Sequence, residues 1–304
     1  MVRIEMLKKS IGIALSMLSM VGLSVPSVEA MEISVSPPRF ELDINNKTRS
    51  QSIRITNLAN EPVEMEAFVR TWTTDPKTNE VQDIPSTENS FDRWIVFTPS
   101  RFTIPPRQTQ TVRFVVRPKT QLAAGEHRAV IYFQEIKNSP TNREAVQAIG
   151  LVGVIVYGYA GEIKRIGTVN SVNITTNPRG TSAVFDISSN GNAHVRMRGQ
   201  YAIYPASQYP GAEKTQKIND VGTRGAKLPA NVVHAGVIQL SGVIPGTRRQ
   251  LRLPFNKQLP PGNYVLDIKA DLSGIPINKG VPFTIPATNP NTQPEKQPAT
   301  NSQQ

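Results

Sequence analysis

The sequence predicts an all-β protein of two β-sandwiches, and three observations predict it. Short segments rich in Val, Ile, Thr and Phe alternate apolar with polar residues at period two. Turn formers punctuate the intervals, and 25 prolines and 20 glycines in 304 residues supply many turns. One pattern, a Pro turn, a strand, a Gly turn and a strand, occurs in each half. The length suits two domains of ordinary size. A chain 38% hydrophobic and 19% charged suits globular structure.

The elements follow in order. Residues 1–30 read as a secretory signal peptide. Arg3, Lys8 and Lys9 precede the apolar run 11–25, and Val28-Glu29-Ala30 offers small residues for cleavage after Ala30. The run is shorter than the roughly 20 residues of a spanning helix. An uncleaved anchor is the alternative reading.

The first domain is expected over 31–160. ISVSPPRFEL at 33–42 alternates like a strand, yet Pro37 and Pro38 break it and Arg39 follows. Further strands are QSIRIT (51–56), VEMEAFV (63–69), WIVF (94–97), TVRFVV (111–116) and AVIYF (129–133). The last, 145–159, reads AVQAIGLVGVIVYGY, and every residue over 149–156 is apolar or Gly. Such a run is either buried on both faces or an exposed edge awaiting a partner. Pattern alone does not separate the register of Ala148, Gly150, Val152 and Val154 from that of Ile149, Leu151, Gly153 and Ile155. The second carries the larger side chains and is preferred.

The second domain is expected over 161–286, with strands at 181–187, 194–198, 201–204, 236–240 and 264–270. Between Pro205 and Ala230 a polar stretch reads as a long surface loop. The repeated pattern pairs Ile104-Pro105-Pro106, Val112-Arg113-Phe114 and Gly125 with Ile244-Pro245-Gly246, Leu251-Arg252-Leu253 and Gly262. The tail 287–304 has almost nothing apolar to bury and reads as disordered.

Little in the chain points to catalysis. The absence of cysteine excludes thiol chemistry and cysteine–metal sites. His127, His194 and His234 share no ligand spacing and read as ordinary strand or loop residues. There is no G-x-S-x-G, no phosphate-cradling Gly motif, and too few aromatics, at 6%, for a nucleic-acid stacking groove. The formal net charge of +11 is spread singly along the strands, as on a solvated basic surface. No catalytic residue, metal, cofactor, small-molecule substrate or nucleic acid is expected. What remains is a binding protein whose site is a loop cluster or an open sheet edge.

Four pieces in order carry a family resemblance: SVSPPRFEL (34–42), SIRITNLAN (52–60) ahead of the strand at 63–72, FTPSRFTIPP (97–106) leading to Val112-Arg113, and RAVIYFQEI (128–136) ahead of 145–159. Over about 33–159 the chain resembles the periplasmic pilus-assembly chaperones of the chaperone–usher pathway. The resemblance implies two immunoglobulin-like sandwiches set at an angle around a cleft. It implies a periplasmic protein with pilus or fimbrial subunits and an outer-membrane usher as partners. The last strand of the first domain would donate alternating apolar side chains, here Ile149, Leu151, Gly153 and Ile155, to an incomplete subunit. Arg39 would anchor the subunit's terminal carboxylate with its planar fork. The family adds a lysine late in the donor strand, whereas 145–159 holds no basic residue and the next are Lys164 and Arg165. The second domain matches in architecture only. A structural or adhesive surface protein using the same sandwich is the alternative function.

Overall fold

The computed structural model describes residues 32–45, 50–75, 78, 80–87, 90–120, 122–137, 149–177 and 180–287. The leader, the first residues of the 145–159 run and the tail from 288 lie outside them.

The first domain contains β1 (Ile33–Ser36), β2 (Arg39–Asp43), β3 (Gln51–Asn57), β4 (Val63–Thr74), β5 (Val81–Ile84), β6 (Ile95–Thr98), β7 (Arg101–Ile104), β8 (Thr109–Val116), β9 (Gly125–Glu135) and β10 (Leu151–Ala160). One sheet runs β1-β3-β8-β6. The other runs β2-β10-β9-β4-β5, with β7 also on β4. Period-two alternation does what the sequence requires of it. Ile53, Ile55, Val112 and Phe114 point inward from one sheet, and Met65, Ile131, Phe133, Val154 and Val156 from the other, into one core. Phe114 and Phe133 are wholly buried. Truncating either to Ala would cost about 3–5 kcal/mol.

Pro37 and Pro38 divide the first strand between the two sheets. β1 pairs with β3 up to Ser36, and β2 pairs with β10 from Arg39 onward. A proline has no N–H to give a ladder, so the chain crosses between sheets where pairing is already interrupted.

The second domain contains β11 (Gly167–Asn177), β12 (Gly180–Ser189), β13 (Met197–Pro205), β14 (His234–Gln239), β15 (Arg248–Pro254), β16 (Gly262–Leu272) and β17 (Ile275–Ile285). Its sheets run β11-β12-β15 and β14-β13-β16-β17. Phe185, Ile187, Met197, Ile203, Leu266 and Ile268 fill its core. The order β11-β12-β15 repeats β1-β3-β8, and β13-β16-β17 repeats β4-β9-β10. The strands named by the repeated sequence pattern thus hold equivalent places in two sandwiches. The 194–198 and 201–204 segments meet in one strand, β13, with Val195 bridged to Val243 just before it. The polar stretch after Pro205 runs through two short 3-10 turns, Ala206–Gln208 and Ala212–Lys214, and then as turns and loop to β14.

The domains meet along a polar seam. Asn192 receives the Lys164 N–H on its side-chain oxygen at 2.7 Å, gives its amide to the Glu162 carbonyl at 2.8 Å, and takes the Glu126 N–H on its own carbonyl at 2.8 Å. Gly125 lies against it at φ +133°, where an added Cβ would sit 2.9 Å from the Asn192 carbonyl oxygen. Only glycine suits both that conformation and that approach.

Candidate functional site

The site is assembled on β10. On one side β10 pairs with β9 along its whole length, antiparallel. On the other it pairs with β2, parallel, over Ile155–Tyr159 only. The backbone direction at each residue follows. The Gly150 carbonyl accepts the Glu135 N–H, so even-numbered positions face β9. The Ile155 N–H donates to the Pro38 carbonyl at 3.2 Å, so odd-numbered positions face β2. At Leu151 and Gly153 β2 has not yet begun. Among the described residues no strand pairs with that side of them, and their N–H and C=O groups form an open edge.

Side chains alternate across the same strand. Val154 and Val156 are buried in the first core. The odd positions occupy the outer face. Ile149 is 55% exposed and Leu151 53% exposed. Gly153 has its place filled by neighbours, since an added Cβ would lie 2.8 Å from Val130 Cγ2 and 3.2 Å from the Tyr132 ring. Ile155 is half-buried against a cluster of Trp72, Val130, Tyr157 and Ile244, the last from the second domain. Of the four residues singled out in the sequence, Ile149 and Leu151 project outward, Gly153 lies over Val130 and Tyr132 of β9, and Ile155 packs in the cluster that Ile244 of the second domain joins.

Arg39 opens β2 directly opposite Ile155. Its Nε lies 3.3 Å from Glu41 Oε1, and the Tyr159 hydroxyl donates to Glu41 Oε2 at 3.4 Å. Behind them sits Tyr157, 3% exposed. Burial pushes its phenol above the ordinary value, while Arg196 pulls the other way. Arg196 comes from the second domain. Burial, and then the nearby Arg39 guanidinium, press it below the usual arginine range. Its Nε is buried with no hydrogen-bond partner. Arg128 completes the basic lining, paired with Glu126 at 3.0 Å and stacked 5.7 Å above the Trp72 ring.

Glu126 closes the back of the cleft. Its Oε2 accepts the His194 backbone N–H at 2.8 Å and the ring Nδ1 at 2.5 Å, across the domain boundary. Burial alone would raise this carboxyl, but the His194 bonds and charge outweigh it and hold it below the ordinary value. His194 also lies against Tyr157, with ring centroids 4.5 Å apart. The sequence reading passed over Arg196, Glu126 and His194 as site residues. Each sits in a segment whose alternation reads only as strand. Among the described residues, no group of acidic and histidine side chains could hold a metal ion. No helix among them is long and apolar enough to cross a membrane.

Residues 30–152 match the family described as pili and flagellar-assembly chaperone, PapD N-terminal domain. No curated protein matches the chain in sequence. Similar solved structures include the class 5 fimbriae chaperone CfaA, at 16% identity and TM-score 0.38, covering 84% of this chain and 100% of that one. Others are the E. coli chaperone DraB, at 10% identity and TM-score 0.38, covering 86% and 98%, and the CsuC–CsuE chaperone–tip adhesion subunit complex of Acinetobacter baumannii, at 9% and 0.40, covering 82% and 97%.

Proposed function

We propose, from the match of residues 30–152 to the N-terminal domain family of the pili and flagellar-assembly chaperones, that the protein holds pilus subunits in the periplasm by adding the open half of β10 to their fold. The observation that carries this reading is the open edge at Leu151 and Gly153, flanked by the exposed Ile149 and Leu151 side chains. An incoming strand would take main-chain hydrogen bonds from the edge and bury the projecting aliphatic groups in its own groove. Ile149 and Leu151 act as the inserted side chains. Gly153 and Ile155 continue the same face along the strand.

The direction of that strand follows from β2. A partner strand running parallel to β10, in line with β2, stops where β2 starts, and the residue standing there is Arg39. Its last residue therefore presents a terminal carboxylate to a guanidinium fork. An antiparallel strand would bring its N-terminus, a positive group, to the same arginine.

Affinity capture from a periplasmic extract, with mass spectrometry of the bound protein, tests the reading. A pilus subunit should come down with the wild type and be lost with Leu151→Lys. Recovery of the same partner with Leu151→Lys would overturn strand addition. Finding the protein on the cell surface, with no partner bound, would favour the adhesive alternative.

A further inference from the structure

Between β13 and β14 the chain runs from Ala206 to Val233 with only two short 3-10 turns. A connection of that length is uncommon, and is usually either functional or disordered. This one is pinned to the sheet beneath it. The Tyr209 hydroxyl donates to Asp267 at 2.8 Å, the Ile218 N–H to Gln200 Oε1 at 3.2 Å, and the Asn278 amide to Glu213 Oε1 at 3.0 Å. Tyr209 and Ile218 also pack with Ala202, Tyr204 and Val232 in a small cluster of their own. The held loop encloses a cavity of about 640 Å³ whose wall includes Lys214, Lys217 and Lys227. Among the described residues none of the three is in an ion pair. Asp220 is the one carboxylate in the lining.

We propose that this cavity binds an anionic saccharide, whose carboxylate or phosphate group the lysines hold. Three cations around one hollow attract an anion. Size and the rest of the lining decide which kind. The volume fits a ligand of sugar size and far exceeds a bare phosphate. Asn219 and Asn231 each offer an amide that both gives and takes hydrogen bonds, and the Asp220 carboxylate only accepts them. That set suits hydroxyl groups, which a simple dicarboxylate lacks. A nucleotide base would need a free ring to stack on. Tyr204, the one aromatic residue in the lining, is 5% exposed and has Tyr209 against it, with ring centroids 5.4 Å apart. The site lies wholly on the second domain and is independent of the strand-addition reading of β10.

NMR titration of the whole protein tests this, with glucuronate, glucose-6-phosphate, neutral glucose and inorganic phosphate as probes. At least one anionic sugar should shift the amides of 214–231 saturably, and the tighter of the two identifies the charged group as carboxylate or phosphate. Glucose and inorganic phosphate should each bind about tenfold more weakly than that sugar, or worse. Lys217→Gln and Lys227→Gln alter exposed side chains. Each should lower the sugar's affinity roughly tenfold, while Lys217→Arg retains it. No saturable shift with either anionic sugar overturns the proposal. Glucose binding equally well removes the anion, and inorganic phosphate binding equally well leaves an adventitious ion only, so either result overturns it too. Unchanged affinity in both lysine-to-glutamine variants puts the ligand elsewhere and overturns the cavity as its site.

Discussion

Leu151 and Ile131 are aliphatic side chains on neighbouring strands with opposite fates. Leu151 is 53% exposed and Ile131 wholly buried. Ile131→Ala should cost about 2–5 kcal/mol of stability, as core truncations do. Leu151→Ala should cost well under about 1 kcal/mol, because much of its surface is already in water. It should nonetheless weaken subunit binding. Denaturant melts of both variants beside partner pull-downs check this, and a core-sized loss at Leu151 would remove it from the binding edge. Arg39→Ala makes a second contrast. Its partly exposed pair with Glu41 contributes little to folding, so the melting temperature should barely move. Partner affinity should fall roughly tenfold to a hundredfold with the lost charge-assisted bond. A collapse in melting temperature would mark Arg39 as a structural residue. Arg39 was legible in the sequence because two prolines and an arginine interrupt an alternating strand. Arg196 was not. In HVRMR an arginine at every second place is what any strand with a wet face shows, and only the fold turns that face toward another domain.

β10 carries two apolar faces for two different reasons, and that is why its register could not be read from pattern alone. Its even face packs in the first core, while its odd face meets Trp72, Val130 and Ile244 before running out to the open edge. The edge makes a prediction amide by amide. The Val152 and Val154 N–H groups face β9 and should exchange slowly with deuterium. Those of Leu151 and Gly153 face the open side and should exchange faster by orders of magnitude, then slow once a subunit is bound. Hydrogen-exchange NMR of the free and bound protein reads this directly, and uniform protection along β10 in the free protein would close the edge. Elsewhere, strands with strong alternation were legible. β11 and β17 escaped notice. β11 is largely Thr, Asn and Ser, and β17 holds Pro276 and Pro282. Both end their sheets, where a missing N–H or a polar side chain costs little.

The two domains are joined by buried hydrogen bonds from His194 to the Glu126 carboxylate as well as by a linker. The Glu126 side chain is fully buried and His194 is 6% exposed along its side chain. The folded protein holds Glu126 below its ordinary value of 4.5, so the carboxylate adds stability above that value. The contribution fades as pH falls through the lower folded value. Calorimetric melting temperatures should therefore drop on acidification below the ordinary carboxyl range. Glu126→Gln should lower the melting temperature at neutral pH, by roughly 3 kcal/mol of stability if the pair breaks as buried pairs do, and should flatten the acid decline. Small-angle scattering of the same variant should show a wider spread of domain orientations. None of this was readable in the chain, since Glu126 and His194 lie far apart in sequence and only the interdomain seam unites them.

The open edge also has a consequence set by concentration. From Leu151 to Val156 no charged side chain guards it, and unguarded edges pair with their own kind. Two copies meeting about a twofold axis can lay one β10 antiparallel to the other. Such a dimer would occupy the edge proposed above for a subunit, and on that reading the free protein and the client compete for one edge. Sedimentation should show dimer growing with protein concentration, dissolving as client is added, and vanishing in Leu151→Lys. The abundance of the protein relative to its client then sets how much of it is ready to bind.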